Sequence, residues 1–423
     1  MGQIPKELEP TRSALHFFGA ELRRLRQALR MSQADLGKLV FAHKDLIRKI
    51  EAAERMPTEE LVSRCDDALA ASGALRRLWP MLERERRLRL SRDTAGLATT
   101  FRSEATDRPV LDWLLASTHD ARRQRGDDEV ATAAAEKLDQ LRGADHVYGA
   151  GHAYPAVAAV LDNDLDTLVA RAPAVAAGFL ELAGYEAVDL GADGRAQRHY
   201  LRALEVVTAA GDRLYGGYLI AVSLAHLALH CGDPAQAARL AAAALRGTEH
   251  QATPAVRAAF RAVLARAHAR RGDEAACAAA LLQVEADLAR GKPEEEPAWI
   301  RYFGEADLAD EKAHCFFDLG LHELAQREAA QAVTLLEPSR ARRLAIDTAL
   351  HAASLARARQ IEHACAIGRQ AVDHAAGVAS FRSAHRIGLM MAELQPHSDL
   401  PEVRDLADYV HTRLPTVVTQ QNR

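Results

Sequence analysis

Nine Lys and Arg side chains against three Asp and Glu fall between positions 10 and 50 of this 423-residue chain. A local excess of +6 over so short a stretch suits a surface that meets a polyanion. The whole-chain charge of −4 conceals it: residues 1–95 hold 19 basic and 14 acidic residues, a net of +5, and the remainder holds 35 against 44, a net of −9. Catalytic patterns are incomplete wherever they begin. His322-Glu323 meets Gln326 where a zinc-protease helix needs its second histidine. Gly149-Ala150-Gly151 lacks the later glycine of a dinucleotide loop. Asp162, Asp164 and Asp166 have the opening spacing of a calcium loop, but Thr167 stands where its glycine belongs and Ala and Pro fill its last ligand positions. His226 and His230 share a helix face at i and i+4 with no carboxylate near in sequence, so they are read as groove residues, not metal ligands. Cys65, Cys231, Cys277, Cys315 and Cys365 fit neither a disulfide framework nor a zinc site and are expected to be small buried thiols. No enzymatic activity, metal or cofactor is therefore expected.

The basic stretch must be carried by short helices. Phe18, Leu22, Leu25 and Leu29 make a helical stripe, with Arg23, Arg24, Arg26 and Arg30 on other faces. Ser32 and Asp35 open a second helix, Gln33 to Val40, as a capping box, although Asp reaches back less far than Glu. A third helix should begin near His43, with Ile47 and Ile50 inward and Lys44, Asp45, Arg48 and Lys49 outward. Two short helices joined by a tight turn, the second studded with polar groups, describe a helix-turn-helix. A capped helix from Thr58 to Leu69 follows, with Leu61, Cys65 and Leu69 inward; Leu75, Leu78, Trp79 and Leu82 then begin a fifth stripe that dissolves into the charges of residues 83–87.

In Ser32-Gln33-Ala34-Asp35-Leu36-Gly37 and Ile47-Arg48-Lys49-Ile50-Glu51 the chain resembles the Cro and phage-repressor type of helix-turn-helix, the xenobiotic-response-element (XRE) family of bacterial regulators, over roughly residues 14–72. The segment Leu78-Trp79-Pro80 resembles actinobacterial members. The family's docking mode implies that Lys44, Asp45 and Lys49 face base edges, where Lys donates to guanine and Asp accepts from cytosine. It places Gln33, His43 and Arg48 near phosphates, and makes Arg26 and Glu51 a structural ion pair. Two positions depart from the pattern: Phe41 replaces the glycine of the turn, which predicts a turn distorted or shielded by the phenyl ring, and Ala53 replaces the glycine after Glu51.

The remainder is a repeat. By our count 87 residues are alanine. Around the anchors Gly191, Gly232, Gly272, Gly320 and Arg359, the residues seven before are Gly184, Ala225, Ala265, Ala313 and Ala352. Those five after are Ala196, Ala237, Cys277, Ala325 and Ala364, and those twelve after are Ala203, Ala244, Val284, Ala332 and Ala371. Thirteen of these fifteen are Ala or Gly, where 112 Ala plus Gly in 423 residues would supply about four by chance. Small residues at these offsets around a tight turn resemble the tetratricopeptide repeat (TPR), over about residues 177–380 and with anchor spacings of 41, 40, 48 and 39 in place of a plain 34. The resemblance implies an all-α chain: a five-helix DNA-binding domain (14–90), a linker with capping or degenerate helices (91–176, candidates near Val110–Ser117, Asp128–Leu141 and Val157–Ala172), and a tetratricopeptide-like α-solenoid (177–415) closed by a capping helix from Pro401 to Leu414.

A solenoid binds on its concave face. Six before each anchor stand Tyr185, His226, Arg266, His314 and Ala353, and neighbouring inward positions hold His230, Arg270 and Asp318, a polar, partly cationic track suited to an acidic or peptide-carboxylate ligand. Residues 292–305, with three glutamates and then Trp299, Tyr302 and Phe303, read as a lid or a partner contact. The chain is expected to be a cytoplasmic, homodimeric regulator that binds double-stranded DNA and responds to a peptide or small-molecule effector, with no membrane segment. The alternative is a repeat-based scaffold whose helix-turn-helix has drifted. Forty-seven arginines against seven lysines suggest a GC-rich genome such as an actinobacterium's.

Overall fold

The computed structural model describes residues 14–79, 81–82, 100–116 and 129–414. Every regular element among them is helical. The chain divides into two compact units, residues 1–97 and 98–423. The expected boundary at residue 90 and the charge run at 83–87 lie outside the described residues.

In the first unit, α1 (Ala14–Ala28), α2 (Gln33–Leu39), α3 (Lys44–Glu51) and α4 (Glu59–Ala68) surround a core of Leu15, Phe18, Leu22, Leu36, Ile47, Ile50 and Cys65, with Leu75 and Leu82 completing it. Leu29 does not join the stripe: α1 ends at Ala28, Arg30 turns left-handed at φ +54°, and Leu29 is exposed. Helix starts follow from side chains that satisfy otherwise orphaned amides. Ser32 Oγ accepts from Asp35 N (3.1 Å) while Ser32 N donates to Asp35 Oδ2 (3.0 Å), so the short Asp closes the capping box. Thr58 Oγ1 caps α4 at Leu61 N (3.2 Å). Buried Asp66 accepts from Gly73 N (2.8 Å) and Leu75 N (2.9 Å), pinning the chain after α4.

In the second unit α5 (Asp107–Leu115) precedes seven helical hairpins. They are α6 (Glu129–Tyr148) with α7 (Ala150–Arg171); α8 (Pro173–Asp189) with α9 (Asp193–Ala209); and α10 (Arg213–Tyr218), a π-helical turn (Leu219–Leu224) and α11 (Ala225–His230) with α12 (Pro234–Gly247). Then come α13 (Pro254–Arg270) with α14 (Glu274–Leu288), α15 (Glu305–Asp318) with α16 (His322–Leu335), α17 (Ala341–Arg357) with α18 (Ile361–Ala376), and α19 (Phe381–Leu394) with α20 (Pro401–Arg413). Each anchor sits in the turn of a hairpin at positive φ: Gly191 +71°, Gly232 +83°, Gly272 +73°, Gly320 +77°, and Arg359 +62° without being glycine. All fifteen small-residue positions are buried. At Gly184 even a methyl group is excluded, since a Cβ there would lie 2.4 Å from the Tyr200 ring.

Two hairpins escaped the repeat scan. The α6–α7 pair turns at Gly149 (φ +81°), but Arg142, Tyr154 and Leu161 occupy its three small-residue offsets, and Asp162, Asp164 and Asp166 lie within α7 and not in a loop. The expected single capping helix is the second half of a hairpin begun by α19, whose turn has no left-handed residue. The candidate helix from Asp128 to Leu141 is longer, reaching Tyr148, and the one from Val157 begins earlier, at Ala150.

The inner helices run in a closed circuit. Neighbouring pairs pack in order from α6 through α8, the π turn, α13, α15, α17 and α19, and then α17 returns to pack on α6 and α19 on α8. The seam is built closely. Ala379 N donates to Tyr148 O (3.1 Å) and Gly151 N to Ala379 O (3.1 Å), and a Cβ on Gly151 would lie 2.9 Å from that of Ala379. Arg342 forks onto Asp145 (2.8 and 2.6 Å) and reaches Asp189 (3.3 Å) and Tyr185 Oη (3.0 Å). Asp189 also accepts from Ser380 Oγ (2.5 Å) and Arg382 Nε (3.2 Å). Burial opposes the Asp189 carboxylate, but the guanidiniums of Arg382 and Arg342 outweigh it and hold its pKa below the ordinary value.

Candidate nucleic-acid interface and solenoid interior

The turn between α2 and α3 keeps the tight geometry with Phe41 in it, and the turn after α3 does so with Ala53. Phe41 adopts φ +53° and Ala53 φ +55°, so two side chains stand in left-handed positions that favour glycine. The expected distortion or shielding is absent: the Phe41 ring is 86% exposed, and Ala42 N bonds Gly37 O at 2.8 Å. Gly37 itself is required, because a Cβ there would lie 2.5 Å from Ala42 O.

The turn presents α3 with Ile47 and Ile50 in the core and His43, Lys44, Asp45, Arg48 and Lys49 exposed. His43 caps the helix, its Nδ1 accepting from Asp45 N at 3.3 Å. Arg48 lies 3.3 Å from Glu54, an exposed pair of small energetic weight. The side chains of Lys44 and Lys49 have no hydrogen bond or ion pair among the described residues, so their ammonium groups are available to an incoming acceptor.

Beneath α3, Arg26 forks onto fully buried Glu51 at 2.6 and 2.8 Å. Gln33 Nε2 joins them, donating to Glu51 Oε2 at 2.8 Å. Gln33 is therefore half-buried and tied to the ion pair that fixes α1, α2 and α3, a partner the sequence did not indicate. Among the thiols, Cys65, Cys277, Cys315 and Cys365 are buried as expected and Cys231 is exposed.

In the second unit the inward track folds in on itself. His226 Nε2 lies 3.2 Å from Glu311, which Arg266 also reaches at 3.1 Å. Burial raises the pKa of Glu311, but Arg266 and His226 prevail and bring it to about 2. His230 pairs with Asp193 at 3.5 Å, so carboxylates do reach both histidines, from different helices. His314 is buried beside Asp310 (3.4 Å), with burial and the nearby Arg266 and Arg386 pushing its pKa well down. Arg270 stands 3.8 Å from Asp318, and Tyr185 is covered by Arg342 and Arg382 at 4.8 and 4.3 Å from its ring centre. Each of these residues already has a partner within the fold. Sequence reasoning missed those partners, Glu311, Asp310, Asp193, Arg342 and Arg382. The first two stand one helical turn before the inward column, where a turn-by-turn scan of α15 would have found them; Arg382 lies on α19, which has no anchor glycine.

The 292–305 segment is docked, not free. Trp299 packs on Tyr215 and Tyr218 (5.4 and 5.0 Å), Ile300 and Phe303 are buried, and the third glutamate, Glu296, accepts from Thr253 Oγ1 and from Ala255 N (3.0 Å) at the start of α13.

Compared with known proteins, residues 18–79 match the family model described as a helix-turn-helix domain. No curated protein matches the chain, and neither does any solved structure. No described helix is long and apolar enough to cross a membrane. The chain is thus an N-terminal helix-turn-helix region followed by an all-α, repeat-like body.

Proposed function

We propose that this protein is a sequence-specific DNA-binding transcriptional regulator of XRE type, acting as a homodimer, whose tetratricopeptide-like body couples a small effector to DNA affinity. The observation that carries the reading is the helix α3, with Lys44, Asp45 and Lys49 exposed on its outer face while Ile47 and Ile50 anchor the inner one. Lys44 and Lys49, whose ammonium groups have no pair among the described residues, suit guanine edges, and exposed Asp45 suits cytosine. A buried Arg26–Glu51 pair holding α1 to α3, with a capped α2, gives the rigidity that base reading needs. An effector changes DNA affinity only by preferring one of two states of the body, a coupling of about 1–3 kcal/mol.

The test is enrichment of fragments of the source genome on the full chain. A salt-sensitive sequence preference is expected, with Lys49→Ala weakening and relaxing it by about 1–3 kcal/mol at one position. A protein that enriches no sequence, or whose preference survives both Lys44→Ala and Lys49→Ala, is a repeat scaffold and not a regulator.

A further inference from the structure

Phe41 is the most exposed large apolar side chain among the described residues, with 86% of its surface open. It also stands in a left-handed conformation, φ +53°, that glycine adopts without strain. Residues held in such conformations persist where the surrounding structure over-determines them, and they gather at functional positions. Nothing inside the N-terminal unit repays this one. Val40 before it is fully buried and Ala42 after it packs against the same core, while the phenyl ring between them stays in solvent.

The turn delivers that ring to the reading end of α3. His43 caps the helix, its Nδ1 accepting from Asp45 N at 3.3 Å, so the cap stands two residues after Phe41 and the first helical residue, Lys44, three. Three residues of chain span at most about 10 Å, and the major groove is about 12 Å wide. The bond from Ala42 N to Gly37 O at 2.8 Å fixes the turn and keeps the ring near the helix start. A helix whose first residues enter the groove therefore carries Phe41 into it or onto its wall.

The chemistry of the ring selects its partner. It has no donor for a phosphate oxygen, and the exposed side chains of α3, Lys44, Asp45, Arg48 and Lys49, are all polar. Among the groups that base pairs show in the major groove one is apolar, the C5-methyl of thymine. We infer that Phe41 is a specificity-determining residue whose ring packs on a thymine methyl, beside the G·C step offered to Lys44, Asp45 and Lys49. A glycine in this turn has no side chain to make such a contact. The inference rests on the reading of the N-terminal unit as a DNA reader and deepens it.

Deoxyuridine, which is thymidine without that methyl, tests it. The full chain is titrated with the duplex it enriches and with copies in which each thymine in turn is replaced. At one position the replacement should weaken binding about fourfold, the effect of returning one methyl group to water. Phe41→Ala keeps the strained backbone and removes the ring. It should lose at least as much on the thymine duplex, be indifferent to deoxyuridine at that position, and keep the parent's salt dependence, since no phosphate contact goes. Should that variant fail to fold, Phe41→Gly, free of the strain, gives the same readout. A variant that still distinguishes thymine from deoxyuridine there, or a parent that distinguishes them nowhere, overturns the inference. In the second case, weaker binding by Phe41→Ala puts the ring on a sugar or on a second copy of the chain. A chain that enriches no sequence takes the regulator reading down with this contact, whereas an enriched sequence indifferent to deoxyuridine removes the contact alone.

Discussion

A phenylalanine held at φ +53° brings its Cβ close to its own carbonyl, at a cost of about 1–2 kcal/mol that glycine does not carry. Phe41 recovers little of this by packing, since its ring is largely in solvent. Phe41→Gly is therefore expected to stabilise the N-terminal unit, by about 0.5–1 kcal/mol once the greater freedom of glycine in the unfolded chain is deducted. Chemical unfolding of residues 1–97 within the full chain measures it, and a loss of stability would mean that the ring has a packing role. The departure itself was legible in the sequence, because only glycine is free of strain in that turn. Its outcome was not: whether a left-handed position bends the turn or strains the residue depends on how firmly α2 and α3 are held, and the hydrogen bond from Ala42 N to Gly37 O holds them.

At the scale of elements, the anchors and small-residue columns reported every hairpin whose packing demands alanine. They were silent wherever other side chains fill the same space. The first hairpin packs Leu138 against Gly178, where a Cβ would lie 2.5 Å from the leucine, and so needs no small residue of its own at those offsets. Helix α5 is a stronger case. Its Trp113 is 1% exposed and fills a slot over Gly216 and Gly247, where added Cβ atoms would lie 2.3 Å from the indole. Arg213 covers the ring at 4.7 Å and donates to Trp113 O at 2.9 Å and Gly247 O at 2.6 Å. Nothing in the local pattern of residues 107–115 announces a partner a hundred residues away. Trp113→Ala should cost about 3–5 kcal/mol and release α5 before the repeats unfold. Limited proteolysis would then cut within residues 100–116 while the helical signal of the body persists. Simultaneous loss of both would show α5 to be integral to the repeat core.

The largest feature of the molecule, the closure of its inner helices, involves pairs far apart in sequence, such as Arg342 with Asp145, 197 residues away, and no periodicity records it. Closure assembles a buried charge cluster in which Glu186 has no hydrogen-bond partner for either oxygen. Burial first, and then Asp145, push its pKa up to about 9 against the pull of Arg342, so it is neutral in the folded chain at pH 7. Unfolded, it titrates near 4.5. A raised folded pKa means that its favourable neutral contribution is complete below 4.5 and declines as pH rises towards 9. Above that window a third negative charge would join Asp145 and Asp189 inside the seam. Glu186→Gln keeps the neutral shape at every pH, so its stability relative to the parent should be level near pH 5 and increasingly favourable at pH 7 and 9. Urea midpoints of the body at those three pH values read the effect. A difference between parent and variant that stays constant with pH would mean that Glu186 is ionised in the fold, and that the seam closes around charge it has not neutralised.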